Sequence, residues 1–205
     1  MKTLLRIDSS FNLQDSFSRQ AGDHFEQLWK TRNPEGKVVH RDLAKTIPPH
    51  LTHKVYNAFS LGTEGEHALE VSDELVSELE KADEILLGSP VYNYGVPSTL
   101  KAYIDHVIRI NRTFAYDPKT YIRKGLLENK TANIIVARGG TPINGESPDG
   151  VEAYLEGILN FMGIDRVNSF SIYGTTYEGS ESGLQSSKKA IKEYFKSIDH
   201  AKEEA

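Results

Sequence analysis

Residues 89–97 are the segment of this chain whose side chains best suit a small ligand. The segment contains two tyrosines, an asparagine and turn-forming residues, with the central run Pro90, Val91, Tyr92, Asn93 and Tyr94. Aromatic rings can shield the face of a flat ring system while amide and backbone groups hydrogen bond to its edge. Tyrosines that pack at the end of a strand would explain the same composition without a ligand.

A second segment, residues 9–18, is rich in hydroxyl groups and runs into a predicted helix. It holds four serines: Ser9, Ser10, Ser16 and Ser18. Hydroxyls and unpaired backbone N–H groups at a helix N-terminus favour an anion. The segment has no lysine, and the chain has neither a P-loop nor a dinucleotide-binding glycine motif, so one terminal phosphate, such as that of FMN, is the best match. Helix capping by Ser16 or Ser18 is the alternative role of these serines.

A third segment, residues 138–145, follows another apolar run and begins with Arg138, Gly139 and Gly140. Paired glycines allow the backbone to approach a ligand closely, and the arginine adds positive charge. If a flavin lies here, glycine N–H groups that face its pyrimidine side would stabilise the negative charge of the reduced ring. An ordinary turn would also satisfy two adjacent glycines.

The elements that must position these segments follow from hydrophobic periodicity. Short apolar runs predict β-strands at residues 3–7, 38–43, 85–87, 131–137 and 167–172, and amphipathic helices are predicted between and after them. This alternation predicts one doubly wound α/β domain over residues 1–205, with a five-stranded parallel sheet in the order 2-1-3-4-5 and helices on both faces. In that order the three segments meet at the carboxyl edge of the sheet.

Two stretches do not fit this simple alternation. Residues 50–64 are ambiguous between a short helix and a loop, and residues 111–130 are polar and too long for an ordinary connection. We expect the longer stretch to be a functional insertion or a flap that faces a partner.

Composition limits the classes of function. The chain has 205 residues, of which 38% are hydrophobic and 26% are charged, as in globular proteins with a substantial core. Its net charge of −5 argues against nucleic-acid and anionic-membrane partners, and no apolar run is long enough to span a membrane. The lack of cysteine excludes disulfides and thiolate chemistry, and the seven histidines show no metal-ligand spacing. We therefore expect a cytoplasmic protein with no metal site.

Six short motifs occur along the chain in a characteristic order. They are Ser9-Ser10 with Ser16-x-Ser18, Pro90-Val91-Tyr92-Asn93-Tyr94, Leu100-Lys101-x-Tyr103-Ile104-Asp105, Thr113-Phe114-x-Tyr116, Gly125-Leu126 and Arg138-Gly139-Gly140. Their order and spacing resemble those of the FMN-dependent NADH azoreductases, a flavodoxin-like family of NAD(P)H:quinone oxidoreductases. The resemblance extends over nearly the whole chain and implies a flavodoxin-like fold.

The resemblance also implies a role for each segment. The FMN phosphate would be bound by Ser10, Ser16, Phe17 and Ser18. Pro90 would belong to the cofactor site, residues 91–94 would flank the isoalloxazine ring, and the Asn93 backbone would lie near flavin N5. The pyrimidine end would be lined by Ala137, Arg138, Gly139 and Gly140. Relatives often carry serine at position 137, so alanine there would remove a hydrogen bond to the ring.

Members of the resembled family are homodimers with two flavins at the subunit interface. This implies that Phe114, Tyr116 and residues 50–62 would wall the pocket of the partner subunit. The implied reaction has two steps: NADH or NADPH reduces the flavin and leaves, and a quinone or azo compound then takes its place. A flavodoxin-type electron carrier without turnover of its own, and a flavin-free binding module with the same fold, are the alternatives.

Overall fold

The computed structural model describes residues 1–61, 66–142 and 149–203. The helices are α1 (Phe17–Arg32), α2 (His53–Leu61), α3 (Glu70–Lys81), α4 (Ser98–Val107), α5 (Val151–Phe161) and α6 (Glu181–Glu203). The strands are β1 (Thr3–Asp8), β2 (Lys37–Asp42), β3 (Glu84–Pro90), β4 (Phe114–Tyr116), β5 (Arg123–Gly125), β6 (Thr131–Ala137) and β7 (Arg166–Ile172). The predicted stretches 50–64, 50–62 and 138–145 each end outside the described residues.

Five parallel strands form the central sheet in the order β2-β1-β3-β6-β7. Because β4 and β5 belong to a separate hairpin, this is the predicted 2-1-3-4-5 order counted along the strands of the sheet, and the prediction is confirmed. The central strands are buried on both faces: in β1 the neighbouring side chains of Leu4 and Leu5 enter different cores. Such strands are continuous apolar runs in the sequence, which is why they could be located.

Two apolar cores, one on each face of the sheet, hold the helices in place. On one face α1 and α6 pack through Phe25 and Phe195, whose rings meet edge to face with centroids 4.9 Å apart. On the other face α3, α4 and α5 pack through side chains that include Leu79, Ile104 and Leu155. Helices therefore cover both faces of the sheet, as predicted.

The structure decides several local ambiguities. Ser16 is the N-cap of α1, and Ser18 lies inside the first turn. The helix that precedes β3 begins as one turn of 3₁₀-helix, Glu66–Leu69, and continues as α3. The ambiguous stretch contains α2, where the Arg109 guanidinium lies 4.9 Å from the centroid of the Phe59 ring.

Residues 111–130 contain the β4–β5 hairpin, in which Phe114 lies opposite Gly125. Gly125 packs against the end of α5 so closely that a Cβ atom there would come within 2.4 Å of the Gly163 Cα atom, so only glycine fits. The connection joins the end of α4 to the start of β6. In a doubly wound sheet these two ends lie at the amino edge, so the hairpin is opposite the edge at which the three segments meet.

The described ranges contain no helix long and apolar enough to cross a membrane. The same part of the chain holds no group of three or more His, Asp or Glu side chains arranged to bind a metal ion. His106, for example, is buried on α4 with its Nε2 atom 2.8 Å from the Pro49 carbonyl oxygen.

Candidate active site

The loops at the carboxyl ends of β1, β3, β6 and β7 border one cleft, which consists of two cavities of about 360 and 350 Å³. The first, the serine cavity, is lined by Ser10, Asn12, Asp15, Ser16, Phe17, Ser18, Pro90, Val91, Tyr92, Ala137, Gly139, Thr175 and Thr176. The second, the glycine cavity, is lined by Val91, Asn93, Tyr94, Arg138, Gly139, Gly140, Thr141 and Asp149. The structure therefore brings the three predicted segments together, with each of their predicted residues at the cleft.

The serine cavity is built on the N-terminus of α1. The Oγ atom of Ser16 accepts a hydrogen bond from the Arg19 N–H at 3.3 Å and lies 3.1 Å from the Oγ atom of Ser18. Ser10, from the loop after β1, is buried and lines the same cavity. Amides at the start of a helix have no partner within the helix, so they join these hydroxyls as donors to an anion.

The charged lining of the serine cavity is acidic. Among the described residues that line it, the charged side chain is that of Asp15. A bound phosphate would therefore be held by hydroxyls, amides and the helix dipole rather than by a facing ammonium or guanidinium group. The absence of lysine from residues 9–18 predicts this arrangement.

A tight turn at residues 92–95 joins the two cavities. Tyr92 and Gly95 exchange backbone hydrogen bonds of 2.9 and 3.0 Å. The central residues Asn93 and Tyr94 have φ angles of 50° and 63°, as in a type I′ turn. Asparagine adopts a left-handed backbone readily but tyrosine does not, so the cleft is bordered by strained backbone at Tyr94.

Phe11 lines neither cavity but packs beside the cleft on Tyr92, a contact that no sequence pattern indicated. Its ring stacks on that of Tyr92, with centroids 6.0 Å apart and planes within 9° of parallel. The pair forms an aromatic wall beside the serine cavity. It exists because β1 and β3 are neighbours in the sheet, which brings their following loops into contact.

Arg138 lines the glycine cavity, but its charge is paired inside the protein. The side chain is 4% exposed, its Nε atom lies 2.9 Å from Asp149 Oδ2, and its Nη2 atom donates to Glu152. Burial would lower the pKa of Arg138, but the two carboxylates raise it, so the guanidinium stays charged. The positive charge expected here is therefore balanced by carboxylates from α5 and the loop before it.

The Gly139-Gly140 backbone is held by the loop after β7. The Gly174 N–H donates to the Gly140 carbonyl at 3.0 Å, and the Thr176 hydroxyl donates to the Gly139 carbonyl at 3.0 Å. A Cβ atom at Gly139 would lie 2.9 Å from Thr176 Cγ2, whereas one at Gly140 would meet open space. Thr175 and Thr176 were not predicted as site residues, although the predicted order already set the fifth strand beside the fourth.

Ala137 and Pro90 lie side by side where the second and third segments leave the sheet. They are paired residues at the ends of β6 and β3, and the Val91 N–H donates to the Ala137 carbonyl at 2.8 Å. The methyl group of Ala137 therefore lies at the serine cavity, where serine would have supplied a hydroxyl.

Phe114 and Tyr116 are not among the described residues that line either cavity. Their rings pack edge to face with centroids 5.8 Å apart, and Phe114 also packs on Phe161 of α5 at 4.8 Å. Within one chain they lie on the hairpin at the amino edge of the sheet. Their predicted place in the pocket of a partner subunit stays a prediction.

Comparison with known proteins identifies the family. A family model described as a flavodoxin-like fold matches residues 1–196. An FMN-dependent NADH:quinone oxidoreductase of Xanthobacter autotrophicus is 44% identical over 172 residues, which is 80% of this chain and 82% of that relative. The chain belongs to this flavodoxin-like family of FMN-dependent NADH:quinone oxidoreductases. The family member from Cellvibrio japonicus is 38% identical over 198 residues, 94% of this chain and 98% of its own.

Solved structures have the same fold. An azoreductase from Bacillus anthracis is 25% identical, with a TM-score of 0.79 over 93% of this chain and 99% of its own. An FMN-dependent NADH-azoreductase from the same species, solved in complex with FMN, has a TM-score of 0.84 at 22% identity, over 97% of this chain and 99% of its own. The similarity to this second structure extends over nearly the full length of both chains.

The strained turn gives a testable prediction through a matched pair of tyrosines. Tyr94 and Tyr121 are 76% and 79% exposed and have φ angles of 63° and 56°, but Tyr121 lies in the hairpin, away from the cleft. Replacing either with glycine relieves about 1–2 kcal/mol of left-handed strain, offset by about 0.4–1 kcal/mol of added freedom in the unfolded chain. Urea unfolding should therefore show Tyr94→Gly and Tyr121→Gly each more stable by about 0.5–1 kcal/mol. A gain for Tyr121→Gly but none for Tyr94→Gly would contradict strain at the cleft.

Proposed function

We propose that this protein is an FMN-dependent oxidoreductase that carries two electrons from NADH or NADPH to quinones and azo compounds. The observation that carries the proposal is the single cleft in which the serines at α1, the turn at residues 92–95 and the glycine pair at residues 139–140 all meet. The names of its relatives, FMN-dependent NADH:quinone oxidoreductases, support the same activity.

The donor set of the cleft fits FMN. The serine cavity offers hydroxyls and helix amides but no facing cation among its described lining residues, which suits one phosphate. The glycine cavity offers backbone groups at Gly140, where a side chain would project into open space. Each cavity is of the size of a small-molecule site, and their shared residues make them continuous.

Each segment then has its own task. The hydroxyls of Ser10, Ser16 and Ser18 and the backbone of Phe17 hold the phosphate, and residues 90–94 flank the ring. The backbone amides of Gly139 and Gly140 stabilise negative charge at the pyrimidine end, because the Arg138 guanidinium is engaged by its two carboxylates. When bound, FMN supplies the two-electron chemistry between donor and acceptor. The residues of the cleft would orient the ring and shield it from water.

A visible spectrum followed by anaerobic mixing tests this function. The purified protein, or apoprotein loaded with FMN, should be yellow, bleach when NADH or NADPH is added under nitrogen, and regain its colour with a quinone. In the proposed reaction the donor leaves before the acceptor binds. Double-reciprocal plots of the initial rate against NADH concentration, at several fixed quinone concentrations, should therefore be parallel. A flavin that binds but stays oxidised with both donors would favour an electron carrier, and a chain that binds no FMN would favour a flavin-free module.

Binding and turnover should separate between two variants. Ser18→Ala should raise the dissociation constant of FMN about tenfold or more, since a hydrogen bond to a charged group contributes about 1.5–3 kcal/mol. Tyr92→Ala should lower turnover while changing that constant by about threefold or less, because its ring flanks the stacking slot.

The control is Ser187→Ala, which removes a buried α6 hydroxyl that has no hydrogen-bond partner among the described residues. It should match the wild type in both FMN binding and turnover. If Tyr92→Ala loses FMN but has normal turnover once FMN is added back, Tyr92 serves FMN binding rather than turnover, and the proposed division of roles is wrong.

We also propose a cytoplasmic homodimer in which Phe114 and Tyr116 wall the pocket of the partner subunit. Two observations support it: the hairpin lies at the edge of the sheet opposite its own cleft, and it exposes Tyr116, Tyr121 and Ile122. The lack of cysteine fits a reducing compartment.

Light scattering should give twice the mass of one chain, and Tyr116→Ala should raise the KM for quinone without changing the affinity for FMN. The side chain is half exposed, so its loss should leave the fold intact. A monomer with full activity would exclude a role for the hairpin of a second subunit.

A further inference from the structure

Arg19, in the first turn of α1, contacts two residues that line the serine cavity, Ser10 and Ser16, and also Asp42 at the end of β2. Its Nη1 and Nη2 atoms donate to both carboxylate oxygens of Asp42, at 2.7 and 2.8 Å. Nη2 and Nε also donate to the backbone carbonyl of Ser10, at 2.8 and 3.3 Å. Its own N–H donates to the Ser16 hydroxyl. The Arg19 side chain thus joins the end of β2 to the loop after β1, and its backbone N–H bonds to the N-cap of α1.

The Arg19 guanidinium is engaged by the protein and is not a lining group of the cavity. The side chain is 14% exposed and makes its bonds to Asp42 and Ser10, while Asp8 lies 3.9 Å from Nη1. Burial would raise the pKa of Asp42, but hydrogen bonds from Arg19 and the Ala44 N–H hold it below its ordinary value. The carboxylate therefore stays ionised and keeps the two-point contact with the guanidinium.

We propose that Arg19 is a positioning residue for the phosphate of FMN. It holds the Ser10 backbone against Asp42, so that the hydroxyls of Ser10, Ser16 and Ser18 converge on one anion. The inference rests on the proposed function and goes beyond it. The preference for FMN over riboflavin, which lacks the phosphate, depends on the hydrogen-bond geometry of the Arg19 guanidinium rather than on its charge.

The distinction between shape and charge follows from the contacts. The charge of Arg19 is balanced by Asp42 and Asp8, so little of it remains to attract a phosphate across the loop. The planar guanidinium reaches both Asp42 oxygens and the Ser10 carbonyl together, whereas the ammonium group of lysine is a single point that cannot span them. Lysine at this position therefore keeps the positive charge but loses the simultaneous hydrogen bonds to Asp42 and to the Ser10 carbonyl.

The test compares FMN and riboflavin on apoprotein, by quenching of flavin fluorescence, for wild type, Arg19→Lys and Arg19→Gln. Both variants should bind FMN about tenfold more weakly and riboflavin as the wild type does. The dissociation constant of riboflavin divided by that of FMN should therefore fall equally in both. Arg32→Lys is the matched control, since Arg32 lies at the far end of α1 with its Nε atom 2.8 Å from Asp199 Oδ1. It should keep the wild-type ratio.

A second variant covers failure of the Arg19 variants to fold. Asp42→Asn keeps the arginine but weakens its anchor, and should lower the FMN preference by about threefold. The proposal is overturned if Arg19→Lys keeps the wild-type ratio while Arg19→Gln loses it, since charge would then be sufficient. Equal losses for FMN and riboflavin, or an unchanged ratio in Asp42→Asn, also overturn it. A wild-type protein that binds neither flavin would overturn the proposed function together with this inference.

Discussion

The parallel pairing of β1 with β3, and of β3 with β6, is the constraint on which the cleft depends. Pro90 lies opposite Ala137, so β3 and β6 end level with each other, and β1 ends at Asp8, opposite Gly88 near the end of β3. Each helix returns the chain to the amino edge before the next strand begins, so the loops that leave these strands must emerge at one edge. The register is fixed by the two cores, since a slip of one residue would exchange the faces that the strands bury.

The arginines around the cleft stabilise the protein rather than face a ligand. Arg6 donates to Asp8 at the end of β1, Arg138 is held by Glu152, and Arg19 is held by the end of β2. A buried cation that awaited an anionic ligand would be unpaired whenever the site was empty, at a cost of several kcal/mol. Because the arginines pair largely inside the protein, hydroxyls and amides supply most of the donors at the cleft; Arg138 Nη1 is buried and has no hydrogen-bond partner among the described residues. Neutral donors can be solvated when the cleft holds no ligand, so the loops are stable in both conditions.

The sheet order and the meeting of the three segments could be predicted, but the contacts that complete the cleft could not. Apolar runs and helical stripes belong to local stretches of chain, so the strands were located within a few residues, and their order brought the segments together. The stacking of Phe11 on Tyr92 and the pairing of Arg138 with Glu152 depend on which side chains face each other across loops. No periodic pattern encodes that. The role predicted for Phe114 depends on a second chain, and its position in one chain does not decide it.

Where a site uses backbone groups as donors, it places few demands on the identity of the side chains. A backbone donor requires a backbone conformation and a loop length, and many side chains are compatible with both. The turn at Asn93 and Tyr94 keeps a left-handed pair without glycine, because the flanking residues hydrogen bond to each other and β3 is anchored on β6. The strain is thus offset by the sheet rather than by the side chains of the turn. Those side chains, of which Tyr94 is 76% exposed, can therefore vary while the backbone of the turn stays in position.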